Sequence, residues 1–265
     1  MKNTIALGAI LALAGAAHAQ VFTLTDANST AVFADLTGFG GGAYQNGWEV
    51  DGISQLFTQD FIFNFRDGNG SQFLDNFAGA ASLFNTNSDP GLDTLNVEYA
   101  NVNGLAVETT FILRGGSANS GRADLAEIIR LVNNSGSTMS FSFFQRVDLD
   151  LNGDTFDASA TIVNANAVQQ VDGIFGASET VNTPAPTIGM VGSPSAVSDA
   201  IFIFEQLDGT AFASNGDLGW AWQWDITLNP GDTFLISKDK SITPAPGTLA
   251  LLGLGGLAAS RRRRG

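Results

Sequence analysis

The chain has no cysteine and one histidine, His18, among its 265 residues. Without thiols there are no disulfides, no Cys–His nucleophile and no thiolate metal site. His18 falls within an N-terminal leader, described next, so the body downstream has no imidazole. That excludes Ser-His-Asp catalysis and the usual zinc and copper sites. Positive charge is also scarce: 12 Lys and Arg stand against 26 Asp and Glu, a formal net charge of −14. Such a surface repels nucleic acid and anionic membranes. No charge-free apolar run near the C-terminal end is long enough for a comfortable membrane span. Gly247 to Ser260 is 14 residues; at about 1.5 Å per residue it covers about 21 Å of a hydrocarbon core about 30 Å thick.

What is present begins with two end signals. Met1, Lys2 and Asn3 form a short basic start, Thr4 to Ala17 are apolar or small, and Ala17-His18-Ala19 is a small-x-small cleavage site before Gln20. This layout predicts a signal peptide over residues 1–19 and an exported body. At the other end, "TPAPGTLALLGLGGLAASRRRRG" joins Pro244-Ala245-Pro246, the short apolar run and the cluster Arg261, Arg262, Arg263 and Arg264. An arginine stub favours the cytoplasmic side, so the expected topology is an exported body, a short membrane stitch and a basic cytoplasmic end. Without Lys2 and those four arginines, seven basic residues face 26 acidic ones, a formal net of −19.

The tripartite tail resembles the PEP-CTERM sorting signal of exported bacterial proteins, with Ala245 where that family usually carries Glu. The resemblance implies secretion machinery and a membrane exosortase as partners, with processing near Pro244–Pro246 and so a transient inner-membrane insertion. "GWEVDG", "FILRGG", "IIRLVNNSGS", "FQRVDLDLNGD" and "WQWDITLNPGDTFLISK" resemble, more loosely, exported PEP-CTERM β-sandwich proteins, a likeness that implies fold and export.

Between the ends, short apolar runs alternate with Gly, Asn, Asp, Ser and Thr. "DFIFNFR" puts Phe61, Phe63 and Phe65 on one strand face. "LNVEYANVNGLAVETTFILRGG" predicts a hairpin with its turn at Asn103-Gly104, a pair suited to positive φ. "IIRLVNNSGSTMSFSFFQRVDL" predicts a second hairpin around Asn133 to Gly136. Ala123 to Val132 fits helical spacing but reads better as a strand entering that turn. "DASATIVNANAVQQV", "DAIFIFEQL", "WAWQWDITL" and "DTFLISK" add further strands; Arg66 to Gly91 and Asn182 to Ser198 read as long surface loops. The expected fold is all-β: a single-domain antiparallel β-sandwich of the jelly-roll or immunoglobulin-like class. Its domains are the signal peptide 1–19, the body 20–242 and the sorting signal 243–265.

Three constellations bear on function. In "DLDLNGD", Asp148, Asp150 and Asn152 precede Gly153 as in the first half of a calcium loop, with Asp154 and Asp157 as further oxygen donors; Ser159 stands where such a loop carries its bidentate Glu. Bound Ca²⁺ is one reading and a polar turn between strands is the other. Trp220, Trp222 and Trp224 share one strand face. They are either a platform for stacking sugar rings or, since Ala221, Gln223 and Asp225 look like the solvent side, core. Carboxylate pairs suit a glycosidase, but no spacing singles one out, so no enzyme is expected. The resulting expectation is a non-catalytic surface or extracellular-matrix protein of a biofilm. The alternative is a carbohydrate-binding module recognising exopolysaccharide.

Overall fold

The structure is a computed structural model that describes residues 20–35 and 41–245. Strict alternation builds its strands. In β9 (Leu105–Gly115) and β10 (Ala123–Asn133) every second side chain is buried, so Leu125, Glu127, Ile129 and Leu131 face inward and their neighbours outward. This settles the ambiguous segment as a strand. Asn103 and Gly104 adopt φ of 51° and 96°, and Val102 pairs with Leu105; the two positive φ angles match the right-handed twist of a tight hairpin joining β8 (Thr94–Val102) to β9.

Among the described residues, eighteen strands form two antiparallel nine-stranded sheets. The first runs β1 (Val21–Asp26), β2 (Ser29–Ala34), β3 (Tyr44–Val50), β5 (Thr58–Asn64), β11 (Met139–Asp148), β17 (Gly219–Leu228), β15 (Ile188–Gly192), with β4 (Ile53–Leu56) beside β3 and β6 (Ser71–Phe73) beside β5. The second runs β16 (Phe212–Gly216), β12 (Ala158–Asn164), β13 (Ala167–Asp172), β14 (Phe175–Thr183), β18 (Thr233–Pro244), β10, β9, β8, β7 (Ala80–Phe84). The all-β sandwich expectation is met at this level.

Several finer expectations are corrected. β10 and β11 do not form a hairpin. β10 pairs with β9 and β18, and β11 pairs with β5 and β17, so the Asn133–Gly136 turn carries the chain from one sheet to the other. Buried Asn133 explains why: its Nδ2 donates to Ser137 O at 2.7 Å and to Leu228 O on the opposite sheet at 2.9 Å, while its Oδ1 accepts from Ser135 N. "DAIFIFEQL" is not a strand. Helix α1 (Pro194–Phe202) starts upstream of it, where Ser193 Oγ accepts from Ala196 N and Pro194 opens the first turn. Val197, Ala200 and Ile201 then share one face, which packs with Met190 and Leu207 on Ile62, Phe144 and Ala221 of the first sheet. The two supposed surface loops contain β6, β7, β15 and the start of α1.

That helical cover makes β5 and most of β17 buried on both faces. Ala221 and Gln223 are therefore not the solvent side: Gln223 Oε1 accepts from Leu207 N at 3.0 Å beneath the α1 segment. The other face of the sheet meets the second sheet through one aromatic core, with Phe63 and Phe143 at 4.9 Å and Phe143 and Trp224 at 5.8 Å between ring centres.

Candidate active site

The first sheet splits between β3 and β5. They pair only at Gln45 and Gln59; beyond that, the edge of β5 is taken by β6, through Ile62 with Phe73 and Asn64 with Ser71. A 3₁₀ turn, Leu74–Asn76, follows β6 into the gap. The result is a cavity of about 240 Å³ walled by Tyr44, Phe61 and Phe73, with Asp60, Asp75 and Arg146 supplying its charge.

Each charged group is held from behind. Tyr99 Oη donates to Asp75 Oδ1 at 2.8 Å and accepts from Gly42 N and Ala43 N at 3.3 and 3.2 Å. Glycine at 41 is required by this packing: a Cβ there would stand 2.8 Å from Tyr99 Oη. Burial pushes the Asp75 carboxyl up to about 6; the Tyr99 hydrogen bond opposes the shift and the Asp35 charge adds to it. Burial, with the Asp75 charge beside it, raises the Tyr99 phenol well above its ordinary value. Asp60 and Arg146 sit opposite each other on β5 and β11. The guanidinium grips Asp60 Oδ2 through Nε at 2.9 Å and through Nη2, and its Nη1 donates to Ser198 Oγ of α1 at 2.6 Å. Burial nevertheless raises the Asp60 carboxyl, outweighing the guanidinium that lowers it.

A second acidic group lies one step along β11. Asp148 pairs with Gly219, which brings Asp217 alongside. One carboxylate oxygen from each of Asp148, Asp150 and Asp217 lies within 4.8 Å of the others. Burial, then the charges of Asp217 and Asp150, push Asp148 up to about 7. The expected calcium-loop set is therefore divided. The loop turns through Asn152 and Gly153 at φ of 63° and 77°, and Gln55 Oε1 accepts from Asn152 N. Asp154 caps Phe156 N at 3.1 Å. Asp154 and Asp157 act on Asp172, which burial and these two neighbours raise to about 6; the Asp154 charge also adds to the rise of Asp150.

The indoles of Trp220, Trp222 and Trp224 are buried between the sheets, where a sugar has no access; Trp224 Nε1 donates to Pro184 O. Pro244 closes β18 opposite Phe175, and Ala245 N donates to Ile174 O, so the strand runs two residues past the expected end of the body. Pro246, the apolar run, Arg261 to Arg264 and the signal peptide lie outside the described residues. Asp60, Asp75, Arg146 and Asp217 were not singled out from sequence. For Asp60 and Arg146 the signal was there: a charge beside an aromatic run, Asp60 just before Phe61–Phe63 in β5 and Arg146 just past Phe143–Phe144 in β11.

No protein-family model matches the chain, and no curated protein matches its sequence. Solved structures do. A bacterial glucoamylase complexed with acarbose aligns with a TM-score of 0.60 at 9% identity, over 90% of this chain and 34% of its own, so this chain spans about a third of that enzyme. A galactose mutarotase-like protein from Lactobacillus casei aligns at 0.51 and 9% identity, over 85% of this chain and 100% of its own. An Escherichia coli protein assigned as an aldose 1-epimerase aligns at 0.50 and 12% identity, over 86% and 99%.

At such identities what is shared is the fold, and it overturns several expectations. The non-catalytic surface or matrix protein, its binding-module alternative and the absence of enzymatic activity are corrected: the architecture is one shared with a glucoamylase and with aldose 1-epimerase and mutarotase-like proteins. The expected surface location with a C-terminal membrane segment is corrected with them. Among the described residues no helix is long and apolar enough to cross a membrane, and residues 247–260 lie outside that range. None of these matches brings with it a sorting signal or an exosortase.

Proposed function

We propose that this chain acts on a carbohydrate by acid–base chemistry in the cavity between β3, β5 and the Leu74–Asn76 turn. The observation that carries the reading is Asp75: a buried carboxyl that keeps its proton to about pH 6, in a cavity it shares with a second carboxyl and a guanidinium. Tyr44 and Phe73, both partly exposed, offer apolar faces to the C–H face of a pyranose ring. Asp75 in its acid form delivers a proton to a ring or glycosidic oxygen as the C1–O bond breaks. The Asp60 carboxylate, ion-paired with Arg146, takes the proton of the C1 hydroxyl as it becomes the carbonyl in anomer exchange, or of the water that attacks C1 in hydrolysis. In fold terms we place the sandwich with the mutarotase-like structures. Nine strands per sheet exceed the seven to nine in total of immunoglobulin-type sandwiches and the eight of jelly rolls.

The test is an assay of anomer exchange in freshly dissolved aldoses by proton NMR, run beside hydrolysis of oligosaccharides, with wild type and Asp75→Asn. A positioned acid–base group is worth about 10²–10⁴-fold, and the variant loses that factor while remaining folded by circular dichroism at the assay temperature. A wild-type rate equal to buffer for every sugar, or an undiminished rate in Asp75→Asn, rejects the reading.

A further inference from the structure

We propose that Asp148, Asp150 and Asp217 form a binding site for a hard divalent cation that ties the exit of β11 to the entry of β17. Three observations carry it. The ligand oxygens lie within 4.8 Å of one another, and two oxygens across a calcium ion stand about 4.6–5.2 Å apart, twice the usual bond length, so one ion reaches all three. Asp148 is only 7% exposed, and its Oδ1 is buried with no hydrogen-bond donor among the described residues. A buried carboxylate oxygen without a donor is costly, and here it belongs to the same group of three acids. Finally, the Arg146 charge reaches Asp148, but no cation pairs with the three acids among the described residues. The nearest guanidinium, Arg146, is committed to Asp60 and Ser198, and no ion pair among the described residues includes any of the three.

The ligand set is all oxygen, which selects a hard ion such as calcium or magnesium over zinc or copper. It differs from the calcium loop expected from sequence. The third ligand comes from the Asp217 turn, brought in by the register of Asp148 with Gly219, while Asp157 acts on Asp172 and Asp154 acts on both Asp172 and Asp150. The site stands apart from the catalytic reading: it needs no sugar, and its failure leaves the Asp75 assay untouched.

The experiment uses the full chain stripped with chelator and then titrated with CaCl₂ or MgCl₂. Melting temperature is followed beside Tb³⁺ luminescence sensitised by Trp220, three residues from Asp217. Extracellular-type sites bind at about 10⁻⁴–10⁻³ M, so 10 mM of the preferred ion is expected to raise the melting temperature by about 3–10 °C. NaCl at equal ionic strength does not reproduce the rise. Asp217→Asn, an exposed position that leaves the core untouched, removes both signals, as does Asp150→Asn; Asp157→Asn keeps both. No rise with either divalent ion, an equal rise with NaCl, retention in Asp217→Asn or loss in Asp157→Asn overturns the proposal.

Discussion

At the scale of single residues, β17 shows how one strand serves two different interiors. Trp220, Trp222 and Trp224 point between the sheets, while Ala221 and Gln223 lie under the helical cover. Trp222 also fixes its neighbour, since a Cβ on Gly189 would fall 2.2 Å from the indole, and only glycine lets β15 pair there. Trp222→Ala opens a large void and is expected to cost about 3–5 kcal/mol in chemical denaturation. Trp222→Phe is expected to cost distinctly less, because no protein acceptor among the described residues faces Trp222 Nε1 and most of the apolar volume remains. Equal losses for the two variants would mean that the indole N–H, not its volume, holds the site together.

At the scale of elements, what joins the sheets is partly polar. Gln59 and Gln145 of the first sheet reach Glu127, Glu179 and Lys240 of the second: Gln59 Nε2 donates to Glu127 Oε2 at 3.0 Å, Gln145 Nε2 to Glu179 Oε2 at 2.9 Å, and Lys240 to Gln59 Oε1. Lys238 pairs with Glu127, and Lys240 with Glu127 Oε1 at 3.1 Å; the Lys238 ammonium lies 5.6 Å from the Phe61 ring centre. All four charged side chains are buried, so their attraction is strong but their desolvation is costly. Lys240→Met is expected to cost about 3–5 kcal/mol, because it leaves Glu127 and Glu179 with one cation between them. Combining it with Glu127→Leu is expected to recover part of that loss; urea melts of the single and double variants decide this.

The same scale shows what the sequence disclosed. Alternation made β9 and β10 readable, and Asn-Gly made their neighbouring turn readable, because both signals are local. The partners of β10 and β11 were not readable: the Asn133 bond to Leu228 that sends the chain across the sandwich joins positions far apart in sequence. α1 was missed because "DAIFIFEQL" holds a short β-branched and aromatic run like that of a buried strand, while its helix-starting Ser193-Pro194 lies upstream of that window. Of the cation site, Asp148 and Asp150 stood out in "DLDLNGD", but Asp217 comes in only through strand register. Asp75 looks unremarkable until Tyr99 and the split between β3 and β5 are placed around it.

At the scale of the whole molecule, buried carboxyls set how stability responds to pH. Asp75 and Asp172 are both raised to about 6, by burial first. Asp75 faces Tyr99 and Asp35, and Asp172 faces Asp154 and Asp157. A carboxyl whose folded value lies above its unfolded value of 3.8 binds more proton when folded. Its contribution is complete below 3.8 and is lost as pH rises through about 6. Glu127 works in the opposite sense. Burial would raise it, but Lys238 and Lys240 hold it below 4.5, so its contribution is present above 4.5 and is lost as pH falls through its folded value. Burial lowers Lys240 from 10.5, so its contribution to stability grows as pH rises from its folded value toward 10.5. Between these limits stability is expected to peak near pH 5 and to decline toward pH 8, helped by self-repulsion in a chain of net charge −14. Melting temperatures taken in chelator at constant ionic strength check this. The fall from pH 5 to 8 is expected to be shallower in the Asp75→Asn, Asp172→Asn double variant. A wild-type curve that rises across that range would place the protons elsewhere and remove Asp75 as a carboxyl able to act as an acid near neutral pH.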